Sequence, residues 1–481
     1  MRTREYECCA AEGTRTTESV AVNAMPELVP LLSDIEDTFT SERIHPMPSF
    51  RDSLVAQLRH PIQFHAGDMW GPPQYTNWMD EERSWKDSCY LGDWTFLPTI
   101  RYTGPDVLKL FADCSVNTMN NFKIGQSKHI IHTNRDGKVI EDGLLTRTAD
   151  EELICYSSYW ADYIRRNGNY RVDMEPIEQV KFHLQGPNAL FVLETALGRD
   201  FRDLKFMRNE DVTIAGVPTR VLRQGMSGEI GFELQADKAQ GQILRETILE
   251  AGTKYGIHEM GGRVAMLNHL QAAYPTVMTD YLPAMYDDDG AGYLEEYMGE
   301  ADGYFARYYG AVAGSFESDD VSGWYRSPVE LGWGGRINFD HKFRGDEALR
   351  VEKADPKRTL CTLKWNSDDI IDIYASLFRQ GDLPDFMEMP QDPRHYLYFD
   401  KILKDGKEVG ATSSRGYSAH FREMISLAVL DIELAVPGTD VTVVWGAPGS
   451  PQREIRATTA LAPYKEVRSR VDLTTLPARP F

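Results

Sequence analysis

The run Gly225-Met226-Ser227-Gly228-Glu229-Ile230-Gly231-Phe232-Glu233 carries the sharpest chemical signal in the chain. Bounded by Val221-Leu222 and Leu234, its three glycines and two acids predict a strand, a turn and a return strand bearing a carboxylate. Glycine lets a backbone come close to a flat ligand. An ionised carboxylate accepts two parallel hydrogen bonds, the pattern an amino-pyrimidine edge offers. The same run also reads as a plain tight turn in a hairpin. His183 falls on a predicted buried strand, where it is either a core histidine or a ligand contact. His129 and His132 stand three apart in a strand-like stretch and face opposite sides, so they cannot share a metal. No Ser-His-Asp or Cys-His order and no phosphate loop stands out.

The elements that must hold these groups follow a repeated plan. A β-like run, Leu97 to Tyr102, meets Gly104-Pro105-Asp106 and then Val107, Leu108, Leu110 and Phe111 at helical spacing. Val180 to Leu184 meets Gly186-Pro187-Asn188 and then Ala189, Leu190, Val192 and Leu193 in the same way. A proline at a first helical turn loses no hydrogen bond, so each run predicts a strand feeding a helix. Used twice, the unit predicts an α+β architecture with internal pseudo-symmetry. Asp136-Gly137 separates His129 to Thr133 from Val139 to Leu145 as a hairpin. A longer helix is expected from Asp237 to Tyr255, with Gly256 as its stop.

Residues 1–49 read as an N-terminal arm, and 50–352 as a catalytic region of two α+β subdomains. Residues 274–326 hold an aromatic-rich insertion that either packs as a surface excursion or walls an aromatic pocket. Residues 353–481 turn β-rich. Thr359 to Trp365, Phe399 to Leu403, Val409 to Ser413, Ile425 to Leu430 and Val441 to Trp445 are expected to be the strands of a small barrel.

Composition narrows the partners. A net charge of −21 over 481 residues opposes binding to nucleic acid or to an anionic membrane surface. No apolar run is long enough to span a bilayer, and Met1 to Ala10 lacks the apolar core of a secretory signal. Six scattered cysteines suit neither a disulfide framework nor a zinc knuckle, so a reduced, cytoplasmic protein is expected. A homo-oligomer is left open.

Several phrases in order resemble the aminomethyltransferase (glycine-cleavage T-protein) family. They are Gly225 to Glu233, Gly137 to Gly143, Gln185-Gly186-Pro187-Asn188-Ala189, Ser327 to Trp333, Phe343 to Leu349 and Val409 to Ser414. The resemblance implies a multi-domain cloverleaf α+β fold ending in an antiparallel β-barrel. Tyr281 to Tyr286, Ile373 to Phe378 and Trp445-Gly446 are most similar to the tetrahydrofolate-dependent aryl O-demethylases that act on vanillate and syringate. It then implies one-carbon removal from a small lignin-derived methoxyaromatic. Glu233, with Gly231 and His183, would hold the pterin. Tyr274 would pack on the folate, and Trp70, Trp94, Tyr156 and Ser158 would line the substrate pocket. Tyr274, Tyr281 and Tyr156 are the tyrosines that could assist a departing phenolate. Glu141 matches the position where the aminomethyltransferases carry a proton-handling aspartate; enclosed, its pKa would rise, whereas on the hairpin surface it would be solvated.

Departures from the O-demethylase pattern keep other chemistries in play. Ala265 matches the leaving-group tyrosine, Ser158 a carboxylate-gripping arginine, Leu97 a pocket histidine and His183 a pterin-contacting glutamine. A second expectation is therefore a folate-independent lyase that releases formaldehyde from a lignin-type dimer such as a phenylcoumaran, with Glu141 as base. A third is a non-catalytic folate-binding protein.

Overall fold

The computed structural model describes residues 72–156, 159–287, 290–298, 312–389 and 397–480. The expected N-terminal arm lies outside the described residues.

Two sheets carry the repeated unit. The first has six strands in the order Ile257–Met260, Cys89–Asp93, Gln179–Gln185, Gly231–Asp237, Val217–Arg223 and Asn209–Ile214. Its first pair is parallel and the rest are antiparallel. The second has five antiparallel strands in the order Gln126–Thr133, Val139–Ala149, Glu152–Tyr156, Thr99–Thr103 and Asp173–Pro176. Their edges meet where Asn209 N donates to Gly125 O at 2.9 Å.

Each sheet feeds a helix through the same glycine turn. Gly104 and Gly186 have φ of +140° and +128°. A Cβ at Gly104 would fall 2.2 Å from Arg171 O, and one at Gly186 2.6 Å from Cys89 Cα, so both turns need glycine. The helices are Val107–Cys114 and Ala189–Leu197, each starting two residues after its proline. Pro105 and Pro187 thus belong to the turn rather than the first helical position. Leu110 and Phe111 pack into the five-stranded sheet, and Leu190 and Leu193 into the six-stranded one. Burying each side chain of this size contributes roughly 1.5–3 kcal/mol. The helix expected over Asp237 to Tyr255 is Gly241–Gly252, flanked by short 3-10 turns, and Gly256 ends it at φ +71°.

Beyond Tyr274, the described aromatic residues of this segment are core rather than cover. Tyr286, Tyr293, Trp324 and Tyr325 are buried in the core of the five-stranded sheet, together with Leu110 and Phe111 of the first helix and Trp160 of helix Tyr159–Asn167. Cys89, Cys114, Cys155 and Cys361 are buried and in no disulfide among the described residues.

The C-terminal barrel closes with six antiparallel strands, in the order Arg358–Trp365, Glu423–Asp431, Lys407–Ser418, Asp400–Lys404, Asp440–Trp445 and Arg453–Ala460. Five of these match the expected runs; Arg453–Ala460 is the sixth. The helix Ala265–Gln271 lies on the barrel, where a Cβ at Gly416 would meet Leu267 Cδ2 at 2.0 Å. After the barrel the chain returns to the six-stranded sheet, burying Leu473 in that sheet's core. Among the described residues no helix is long and apolar enough to cross a membrane.

Candidate active site

Glu233 lies on the return strand of the glycine turn, directly across from His183 on the neighbouring strand. The turn itself sets this pair. Ser227 N donates to Gln185 Oε1 at 2.9 Å, which points the Gln185 amide nitrogen at His183 Nδ1, 3.2 Å away. With Nδ1 accepting, the imidazole carries its proton on Nε2 and donates to Glu233 Oε2 at 2.9 Å. Gln224 Nε2 donates to the same oxygen at 2.9 Å, and Gln235 Nε2 to Oε1 at 2.8 Å. The Tyr156 hydroxyl also donates to Oε1. Burial alone would push the Glu233 carboxyl up; the hydrogen bonds from His183, Tyr156 and Gln235 outweigh it and hold the group below the usual carboxylate range. Burial and the neighbouring Glu233 push Tyr156 well above an ordinary phenol. The glycines of the turn make room for backbone: a Cβ at Gly225 would lie 1.9 Å from Glu229 O, and one at Gly231 2.6 Å from Gln224 O. Gly225 and Gly228 reach the wall of the adjoining cavity, and Gly231 sits behind it.

That cavity has a volume of about 850 Å³. Trp94, Tyr274 and Trp333 supply flat walls. Trp94 stacks with His183 at 5.1 Å and with His269 at 5.2 Å. Tyr274 stands between two imidazoles, 5.5 Å from the His129 ring and 5.6 Å from that of His269.

Beyond Tyr274 lies a second polar group. Asp142 pairs with Ile131 across the hairpin and His129 with Leu144, which makes Asp142 and His129 diagonal neighbours on one face. His129 Nε2 is 2.7 Å from Asp142 Oδ2, and the buried Tyr281 hydroxyl donates to Oδ1. Tyr281 therefore stands behind Asp142, outside the cavity wall. As a carboxylate Asp142 only accepts, so His129 holds its proton on Nε2 and turns a lone pair outward at Nδ1. Burial pulls the His129 pKa below 6.5 despite Asp142.

Glu141 faces the other way. Adjacent strand residues point to opposite faces, and Glu141 instead accepts from Trp160 N at 3.0 Å and the Tyr293 hydroxyl at 2.9 Å. It holds the start of helix Tyr159–Asn167, and desolvation pushes its carboxyl up to about 7. The carboxylate that the hairpin presents to the cavity is Asp142; Glu141 is enclosed, with the raised pKa expected of it, but away from that cavity.

The expected residues Glu233, His183, Trp94, Tyr156 and Tyr274 all line this one cavity. Leu97 lines it too, while Ala265 packs behind, among Trp85 and Tyr90. Trp70 and Ser158 lie outside the described residues. Asp142, His129, His269, Trp333 and Gln224 are wall residues that sequence reasoning missed or, for His129, weighed only as a metal ligand. Among the described residues no group of side chains could hold a metal ion.

Two sheets with glycine-turn helices and a six-stranded barrel, around a cavity headed by a buried carboxylate, define an aminomethyltransferase-type fold. The glycine cleavage system aminomethyltransferase T from Bartonella henselae superposes with a TM-score of 0.60 at 18% identity, covering 83% of this chain and 92% of that one. The profile described as GCVT N-terminal domain matches residues 54–287. Sesamin methylene transferase of Sinomonas sp. (strain No.22) is 32% identical over 431 residues, 84% of this chain and 93% of that protein. Syringate O-demethylase of Sphingobium sp. (strain NBRC 103272 / SYK-6) is 29% identical, covering 82% and 90%. An aminomethyltransferase of Halothermothrix orenii (strain H 168 / OCM 544 / DSM 9562) is 27% identical, covering 83% and 94%. The chain belongs to the GCVT aminomethyltransferase family and is an enzyme of the methyltransferase type.

Proposed function

We propose that this enzyme removes a one-carbon unit from a small methoxyaromatic by tetrahydrofolate-dependent O-demethylation. The observation that carries the proposal is a single cavity with a buried carboxylate at one end and a carboxylate–imidazole pair at the other, with flat aromatic walls between.

The residues present fit tetrahydrofolate. Glu233 is held ionised and acceptor-only, as a donor-rich heterocycle edge requires. Two of its present donors, Gln224 and Gln235, are side-chain amides that can swing aside. His129 Nδ1 and His269 Nε2 are buried wall atoms with no hydrogen-bond partner among the described residues, so the cavity is built for a polar occupant. Its volume accommodates a pteridine and a substrate ring together.

Tetrahydrofolate, when bound, supplies the nitrogen that takes up the one-carbon unit. The chain does the rest by positioning and proton handling. Glu233 and Trp94 fix the pterin and Tyr274 with Trp333 the second ring, an exchange of the places expected for Trp94 and Tyr274. His129 Nδ1 accepts a proton released in the cavity, Asp142 stabilises the resulting imidazolium, and Tyr281 keeps Asp142 oriented. The protonated His129 is then the acid available to a departing phenolate. This role substitutes for the tyrosine whose place Ala265 takes.

The identity to sesamin methylene transferase favours a second reading, in which the same cavity transfers a methylene rather than a methyl unit. The lyase alternative relied on Glu141 as its base, and Glu141 does not line the cavity. Anaerobic incubation with methoxyaromatic monomers, with and without tetrahydrofolate, tests the proposal by mass spectrometry. A demethylated phenol formed together with 5-methyltetrahydrofolate supports it; 5,10-methylenetetrahydrofolate supports the second reading; formaldehyde without folate overturns both.

A further inference from the structure

His269 has no part in the proton chemistry just described, yet it is built into the same wall. It lies on helix Ala265–Gln271, one turn beyond Ala265, is 4% exposed, and stacks on Trp94. Its Nδ1 is 3.0 Å from Thr276 Oγ1, and that hydroxyl is 3.3 Å from the Tyr274 carbonyl. One hydroxyl proton serves one acceptor. The assignment that satisfies all three groups has Nδ1–H donating to Oγ1, and Oγ1–H donating to the carbonyl. Nε2 is then a bare lone pair in the cavity wall, with no partner among the described residues. Burial and the nearby His183 pull the pKa of His269 down to about 3, so the ring stays neutral and Nε2 stays an acceptor.

A buried acceptor without a donor penalises any occupant that leaves it unpaired. Folate has Glu233 to satisfy its donors at the far end. His269 stands between the two ends, stacked on Trp94 and 5.6 Å from Tyr274, so its Nε2 borders the second ring's side of the cavity as well as the folate's. We infer that His269 is a specificity residue whose Nε2 accepts a hydrogen bond from a free hydroxyl on the aromatic substrate, so that the enzyme selects methoxyphenols over fully etherified rings. The inference rests on the proposed aromatic substrate but not on the fate of its methyl group.

Equilibrium binding separates the two. Calorimetry would compare 2-methoxyphenol with 1,2-dimethoxybenzene, which differ only by a methyl on the hydroxyl, for wild type, His269→Leu and His269→Gln. The full-length protein is used without folate, with circular dichroism confirming that each variant is folded. Wild type is expected to prefer the phenol by at least about ten-fold, the discrimination of a buried acceptor left paired or unpaired. His269→Leu should bring the two affinities within about three-fold, and His269→Gln, which keeps an acceptor, should retain a preference. Equal affinities in wild type, binding of neither ligand, or a preference that persists in a folded His269→Leu overturns the inference. So does an unchanged preference with weakened tetrahydrofolate binding, which assigns His269 to the folate. A ten-fold preference without any methylated folate in turnover instead removes the demethylase reading and leaves His269 in its role.

Discussion

His129 Nε2 lies 2.7 Å from Asp142 Oδ2, and the two residues belong to adjacent strands of one hairpin, offset by a diagonal step. The carboxylate fixes the tautomer of the imidazole, and the hairpin fixes where its free nitrogen points. Neither residue alone would do this. An isolated buried histidine has no preferred tautomer, and an isolated aspartate in this wall would carry an unpaired charge.

Asp142 and Glu141 should therefore separate in their effects. Asp142→Asn keeps the shape but no longer stabilises the His129 imidazolium, and turnover should fall by about 10²-fold or more with little change in melting temperature. Glu141→Ala removes the acceptor for Trp160 N and Tyr293, and should cost about 1–2 kcal/mol in urea denaturation while sparing most of the turnover. A reversed pattern would reassign the base to Glu141.

Glu233→Gln places an amide among four donors. At least one of His183, Tyr156, Gln224 and Gln235 then loses its acceptor. Tetrahydrofolate affinity measured by calorimetry should weaken by at least about ten-fold, the scale of one charge-assisted hydrogen bond. Unchanged affinity would mean that Glu233 braces the sheet and does not meet the ligand.

How much of this was legible in the sequence depended on distance along the chain. Glu233 could be read because the glycines and the carboxylate that matter fall within nine residues. Choosing between Glu141 and Asp142 needed the hairpin's register, and a bulge between His132 and Thr133 shifts it, so counting alternation outward from Gly137 along both strands misleads. The strand Arg453–Ala460 was hidden by Arg453, Glu454 and Arg456, whose charges suit the outside of a barrel as well as a loop. Tyr274 lies five residues beyond His269, but His269 meets Trp94 only through the tertiary fold, and no local pattern encodes that contact. The aromatic run after Tyr274 announced burial but not its destination, since large side chains suit a core and a pocket wall alike.

The buried histidines set a sign for acid stability. His269 has a pKa near 3 when folded, against about 6.5 in an unfolded chain. Between those values only the unfolded chain binds the proton. Its contribution is therefore complete above pH 6.5 and is lost as pH falls toward 3. From pH 7 to pH 5 that loss is about 2 kcal/mol. The stability that wild type loses between these pH values, measured by urea melts, should exceed the loss in His269→Leu by about this amount. Parallel losses would show that the imidazole is solvated.

The most direct test follows the carbon itself. A methoxyphenol labelled with ¹³C in its methoxyl group is incubated anaerobically with the enzyme and tetrahydrofolate, and the products are read by NMR. The label is expected to appear as the N5-methyl of tetrahydrofolate in step with the catechol, to be abolished by omitting folate, and to fall about 10²-fold or more in Asp142→Asn. Label released as formaldehyde at the same rate with or without folate would contradict it.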